Sequence, residues 1–219
     1  MKTLRDNSLT IVLVTLSLLT IGGMLLTGWS VYDHELADHA ANLTGLAAYA
    51  KSGHFLSSLF ENWESEFLQM SAYVMLTAFL FQRGSSESKD PDEPADQDED
   101  PALKQDHAEA PWPVRVGGFA QAVYSCSLGI ALGFLFVLTF ILHLRYSAEA
   151  ENAEAVMHGQ PTVSIAEHLV SAQFWFESLQ NWQSEFLSTA VIVVLSIFLR
   201  FKGSPESKPV AAPHAQTGA

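Results

Sequence analysis

Leu9-Thr10-Ile11-Val12-Leu13-Val14-Thr15-Leu16-Ser17-Leu18-Leu19-Thr20-Ile21-Gly22-Gly23-Met24-Leu25-Leu26 runs without a charged side chain. That is about the length needed to cross the hydrocarbon core of a bilayer. Lys2 and Arg5 before it could form the n-region of a signal peptide, but the apolar run is long for one. No small-x-small cleavage site follows closely, because the exit reads Thr27-Gly28-Trp29-Ser30. The stretch therefore reads as a retained membrane span.

Three more stretches extend this reading. Val123 to Leu142 is equally uncharged, with Trp112 and Tyr124 at its entrance and Tyr146 past its exit. Phe67–Phe81 and Phe186–Leu199 are shorter, about four turns each. Each continues upstream into an aromatic-rich helical run, Phe55–Glu66 and Phe174–Glu185, and each ends at a basic residue. As long helices whose first turns lie in the outer interface, both become spans. The expected fold class is all-α, an integral membrane four-helix bundle built from two parallel two-span repeats.

The basic residues orient it. Lys2, Arg5, Arg83, Lys89, Lys104, Arg115, Arg200, Lys202 and Lys208 fall on one side of such a bundle, and only Lys51 and Arg145 on the other. Lys and Arg near span ends mark the cytoplasmic side. Both termini are thus expected in the cytoplasm and the chain in a bacterial cytoplasmic (inner) membrane, multi-pass, with the lipid bilayer as its first partner.

Composition narrows the function classes. Of 219 residues, 48% are hydrophobic and only 16% charged, yet the formal charge is −13. Charge and apolar mass must therefore be segregated along the chain. No nucleic acid is expected as a partner, since the net charge has the wrong sign for a phosphate backbone. The single cysteine, Cys126, excludes an intramolecular disulfide and a cysteine-built metal site. Much of the negative charge lies in Gly84–Val114, which holds ten acids against two lysines and is interrupted by Pro91, Pro94, Pro101, Pro111 and Pro113. Such a segment buries too little surface to fold.

The second organising feature is a duplication. Asn62-Trp63-Glu64-Ser65-Glu66-Phe67-Leu68 returns as Asn181-Trp182-Gln183-Ser184-Glu185-Phe186-Leu187, an offset of 119 residues. In that register Arg83-Gly84-Ser85-Ser86-Glu87-Ser88-Lys89 falls on Lys202-Gly203-Ser204-Pro205-Glu206-Ser207-Lys208, Glu35 on Glu154, and His39 on His158. Four regions follow: a two-span repeat over 1–83, an acidic disordered cytoplasmic linker over 84–114, a second two-span repeat over 115–208, and a disordered tail over 209–219. Two spans return the chain to its starting side, so the halves should be related by an axis along the membrane normal.

These doubled motifs resemble an uncharacterised family of bacterial four-span membrane proteins known only as a domain of unknown function. The likeness covers nearly the whole chain outside the linker. Glu64 stands where the family motif usually has Gln, Ser86 where it has Pro, and Lys202 where it has Arg. The loop after the first span looks like the family's Tyr32-x-x-Glu35 followed by His39, of which the second half keeps Glu154 and His158. The resemblance implies no activity.

Several residues are candidates for chemistry. Glu66 lies 17 residues before Arg83, about 25 Å along a helix. Glu66 and Glu185 thus sit near the outer edge of the hydrocarbon, where an ionisable group faces a bundle or a wet vestibule. With Asn62, Asn181, Ser65 and Ser184 they form a candidate polar or proton site; the plainer reading is a wetted, hydrogen-bonded first turn. Trp63 and Trp182 read as interfacial anchors. The i, i+4 pairs Glu35/His39 and Glu154/His158 each put a carboxylate and an imidazole on one helix face, a spacing that suits a metal or a proton relay; an ordinary solvated pair is the bland alternative. His143, equivalent to Met24, invites haem ligation only weakly, and an interfacial histidine explains it better. Ser125, Gly129, Gly133 and Gly22-Gly23 have a helix-packing explanation.

No Gly-rich phosphate loop, nucleophile elbow or H-E-x-x-H occurs, no catalytic residue is assigned and no cofactor is expected. The leading expectation is a non-enzymatic structural or interaction module, with a homo-oligomer or another membrane protein as partner. A small transporter or channel-like protein using Glu66 and Glu185 is the alternative. A metal- or haem-binding membrane enzyme is the third.

Overall fold

The computed structural model describes residues 2–39 and 41–218, with only the backbone described for 2–3. Among them every regular element is helical. In chain order these are α1 (Lys2–Asp6), α2 (Ser8–Asp38), α3 (Leu46–Tyr49), α4 (Gly53–Phe79), α5 (Trp112–Val116), α6 (Gly118–Ser125), α7 (Ser127–Met157), α8 (Ile165–Leu169) and α9 (Ala172–Phe198).

Helices α2, α7 and α9 are long and apolar enough to cross a membrane, with mean hydropathies of 2.3, 2.3 and 1.2 over their best windows. Among the described residues the fold is therefore all-helical with three candidate spans. Helix α4 is as long as α9, at 27 residues, but Glu61, Glu64 and Glu66 crowd its middle and dilute its apolar run. As the sequence suggests, the aromatic runs at 55–66 and 174–185 continue unbroken into the apolar stretches that follow.

Within Gly84–Val114 the only helical turns, apart from the start of α5, are short 3-10 turns at Asp96–Asp98 and Pro101–Lys104. Dense acids and prolines account for this, because neither supports a longer hydrogen-bonded run.

Two compact units organise the contacts. One is Met1–Trp63 with Thr139–Glu177, the other Glu64–Leu138 with Ser178–Ala219. Each draws on both halves of the sequence.

In the first unit the loop after α2 is tied back by Thr44 N–H donating to Asp33 Oδ1 at 2.9 Å. At the positions 119 residues on, Val163 N–H donates to Asn152 Oδ1 at 2.7 Å. Phe55 N–H reaches Ser52 Oγ and Phe174 N–H reaches Ser171 Oγ, at 3.3 and 3.2 Å, so α4 and α9 start alike. Phe55 and Phe174 are both buried. Gly53 permits the closest packing here: a Cβ on it would lie 2.6 Å from Ala150 N and 2.9 Å from Tyr146 O. A Cβ on Gly22 or Gly23 would meet nothing within 4 Å beyond its own helix backbone and chain neighbours, among the described residues.

In the second unit the doubled Gly-Ser-x-Glu-Ser-Lys segments fold in the same way. Ser88 Oγ accepts from Gln82 N–H and Ser207 Oγ from Phe201 N–H, at 2.9 and 3.0 Å. Their lysines then diverge. Lys89 pairs with Asp98 of the linker at 2.6 Å, whereas Lys208 is buried and donates to the carbonyls of Gly84, His214 and Gln216. Gly84, at φ 81°, takes a left-handed conformation that favours glycine. Gly129 and Gly133 make ordinary contacts with Met75 and Ser71, 3.6 Å from where a Cβ would stand.

Candidate functional site

The first unit encloses a cavity of about 790 Å³. Its wall carries the carboxylates of Glu35, Glu149, Glu151, Glu154 and Glu177, the imidazoles of His39, His54 and His158 and, among the described residues, no lysine or arginine. Both i, i+4 pairs singled out in the sequence line it. The His39 and His158 rings meet edge to face, with centroids 4.9 Å apart at 78°.

Local backbone geometry sets both rings. At the end of α2 the Glu35 carbonyl accepts the His39 backbone N–H at 3.3 Å and also faces His39 Nδ1 at 2.9 Å, and at the end of α7 the Glu154 carbonyl does the same for His158 at 3.1 and 2.9 Å. A carbonyl only accepts, so in each ring the proton is on Nδ1 and the Nε2 lone pair is free to bind a proton or cation. This is the tautomer that backbone carbonyls impose on metal-ligating histidines. Two imidazoles are not a closed ligand set, however. Among the described residues no group of three or more His, Cys, Asp or Glu side chains is disposed to hold a metal ion.

Behind the cavity wall lies a second polar group that sequence reading missed. On α7, His143, Ser147 and Glu151 follow one another at four-residue steps and so share one face. His168 Nε2 lies 2.8 Å from Ser147 Oγ, and the Ser147 hydroxyl donates to Glu177 Oε2 at 2.8 Å. Glu177 Oε2 also stands 3.6 Å from His143 Nε2, while His168 Nδ1 forms an ion-pair contact with Glu151 Oε2. His143, Ser147 and His168 are buried. Phe174 packs on both imidazoles, with centroids 5.0 Å from His143 and 5.5 Å from His168. In the first half, Tyr49 shares a hydrogen bond with His54 Nδ1 at 2.9 Å. Its burial, with the nearby Glu35 charge, pushes the Tyr49 phenol above its usual range.

The other sequence candidates are more dispersed. Glu66 is exposed, and Glu185 is half-buried and feels the charge of Glu66. Asn62 donates to the Ser58 carbonyl at 2.7 Å, and Ser184 to that of Asn181 at 2.8 Å. Ser65 is buried. Trp63 is exposed and packs edge-on to Phe60. Trp182 instead donates its indole N–H to Glu64 Oε1 at 2.9 Å, and Glu64 is completely buried. The carboxylate that stands where the second copy of the repeat has Gln183 is thus the buried one.

Apolar helices long enough to span a bilayer, joined to an acidic, imidazole-lined cavity, define a helical membrane protein with a polar pocket. The chain belongs to the family described as a domain of unknown function, DUF6766, whose model matches residues 1–219. No curated protein and no solved structure matches it significantly.

Proposed function

We propose that this is a non-enzymatic, four-span protein of the bacterial cytoplasmic membrane, both termini inside, whose outward-facing cavity binds a small cation. The observation that carries the reading is the meeting of His39 with His158 in a cavity lined by Glu35 and Glu154. Carboxylates without a basic neighbour concentrate cations, and two Nε2 lone pairs add affinity for borderline metals such as Zn²⁺. Water, or a carboxylate that swings inward, would complete the coordination. In this reading α4 is the fourth span, its acidic middle near the outer interface.

Calorimetric titration of Zn²⁺ into the full chain in detergent tests it. One saturable site is expected, lost when His39 and His158 are both changed to Gln. Equal binding by the double variant, or none by the parent, overturns the proposal.

Cation passage through Glu66 and Glu185 is a second reading. It is favoured by the complete burial of a further carboxylate, Glu64, in the same part of α4.

A further inference from the structure

The duplication supplies an internal comparison for the buried network behind the cavity. Counted back by 119 residues, His143, Ser147, Glu151, His168 and Glu177 fall on Met24, Gly28, Tyr32, Tyr49 and Ser58. In the first half these positions hold packing residues. Tyr49 lies against Gly28, where a Cβ would meet its hydroxyl, and its ring stands 5.5 Å from that of Tyr32. Shared local bonds around the two sets, at Asp33/Asn152 and Ser52/Ser171, show that the backbone setting is alike. Packing can therefore be met at these positions without carboxylates or imidazoles. The second half has four of them in one connected cluster.

The bonding pattern constrains where protons lie. The Ser147 hydroxyl gives its one proton to Glu177, so it accepts from His168, and His168 Nε2 carries a proton. His168 Nδ1 faces a Glu151 oxygen, and neither atom has another hydrogen-bond partner among the described residues. A lone pair held against a carboxylate would be repulsive, so a proton lies there too. Glu177 links this arm to His143, which is fully buried, while Glu151, Ser147 and Glu177 all reach the cavity wall.

We propose that His143, coupled to Glu177, is a proton-binding site loaded from the cavity, which makes the second half of the chain a proton sensor. A proton from cavity water adds to the Glu177 carboxylate directly. By the longer arm, His168 Nε2 passes its proton to Ser147 Oγ as Ser147 passes its own to Glu177 Oε2. His168 is reset by a ring flip that turns its remaining N–H to Ser147, after which water returns a proton to the freed nitrogen by way of Glu151. Glu177 delivers its proton to His143 Nε2 and returns to carboxylate. One proton leaves water, one imidazolium forms, and only O–H and N–H bonds change. The titratable groups around His143 in the network are Glu177 on α9, His168 on α8 and Glu151 on α7. Across the cavity stand Tyr32 and Glu35 of α2, His54 of α4, and Glu149 of α7.

The site needs no metal and stands apart from the cation reading. Its test is run on the full chain in lipid nanodiscs with chelator present and with ¹⁵N-labelled histidine rings. His143→Met and His168→Tyr, which install the residues of the first half, assign the two signals. The His143 ring is expected to convert reversibly from neutral imidazole to imidazolium as pH falls from about 8 to 5. Glu177→Gln, which removes charge and keeps shape, should lower its midpoint by about one pH unit or more. Glu177→Ser, the first-half residue, should do the same. A His143 ring that stays neutral throughout, or a midpoint unmoved by both Glu177 variants, overturns the proposal. The His39 and His158 signals report in each sample that the fold is intact.

Discussion

Glu64 is the residue whose role is most at odds with its appearance in the sequence. Beside the motif it looks like a tolerated variant of Gln, yet it is fully buried and accepts the Trp182 indole N–H at 2.9 Å. A Gln Oε1 can accept the same bond, so Glu64→Gln should leave thermal stability in detergent nearly unchanged. Glu64→Leu strands the indole donor and should destabilise by about 1–3 kcal/mol, read as a lowered unfolding midpoint. Equal midpoints for the two variants would show that the bond contributes nothing. The same logic explains what was legible in the site. Glu35/His39 and Glu154/His158 stand out because helical spacing and duplication both mark them. His168, Glu177, Ser147 and Glu151 do not, because a search for agreement between the halves discards positions where they differ. Those unlike positions are where the second half carries carboxylates and an imidazole.

At the scale of elements, apolar runs and their aromatic prefaces announce the long helices α2, α4, α7 and α9, since a helix that is apolar along its length leaves a continuous signal. Close approach between helices leaves no such signal. The glycine pair Gly22-Gly23 looks like a packing notch but borders open space, whereas Gly53, at the start of α4, lies against the α7 backbone. Atoms of backbone cannot rotate aside as a side chain can. Gly53→Ala should therefore cost about 1–3 kcal/mol through displaced helix packing. Gly22→Ala should leave stability unchanged or raise it by up to about 1 kcal/mol, because alanine costs less backbone entropy in a helix. Thermal unfolding of both variants in one detergent checks the contrast, and a Gly53→Ala protein as stable as the parent would refute it.

For the whole molecule, whether α4 spans decides the topology, because it changes the parity of the crossings. If it spans, both termini and the linker share the cytoplasm with Arg83, Lys89, Lys104, Arg115 and Lys208, while Lys51 and Arg145 lie outside. With only α2, α7 and α9 crossing and the N-terminus inside, the linker and its basic residues would lie outside and the C-terminus would end there as well. Basic residues oppose that arrangement. The two cases give opposite labelling patterns. Cys126 is exposed and the sole thiol, so Cys126→Ser supplies the background for single cysteines at the exposed positions Gln97, Gln160 and Val210. With four spans, a membrane-impermeant maleimide added to intact spheroplasts should reach the cysteine at 160 and spare those at 97 and 210 until the membrane is permeabilised. With three, 97 and 210 should react and 160 should not. Because each pattern is the inverse of the other, poor reactivity at one position cannot imitate the wrong topology, and the sidedness of the acidic cavity follows from the same measurement.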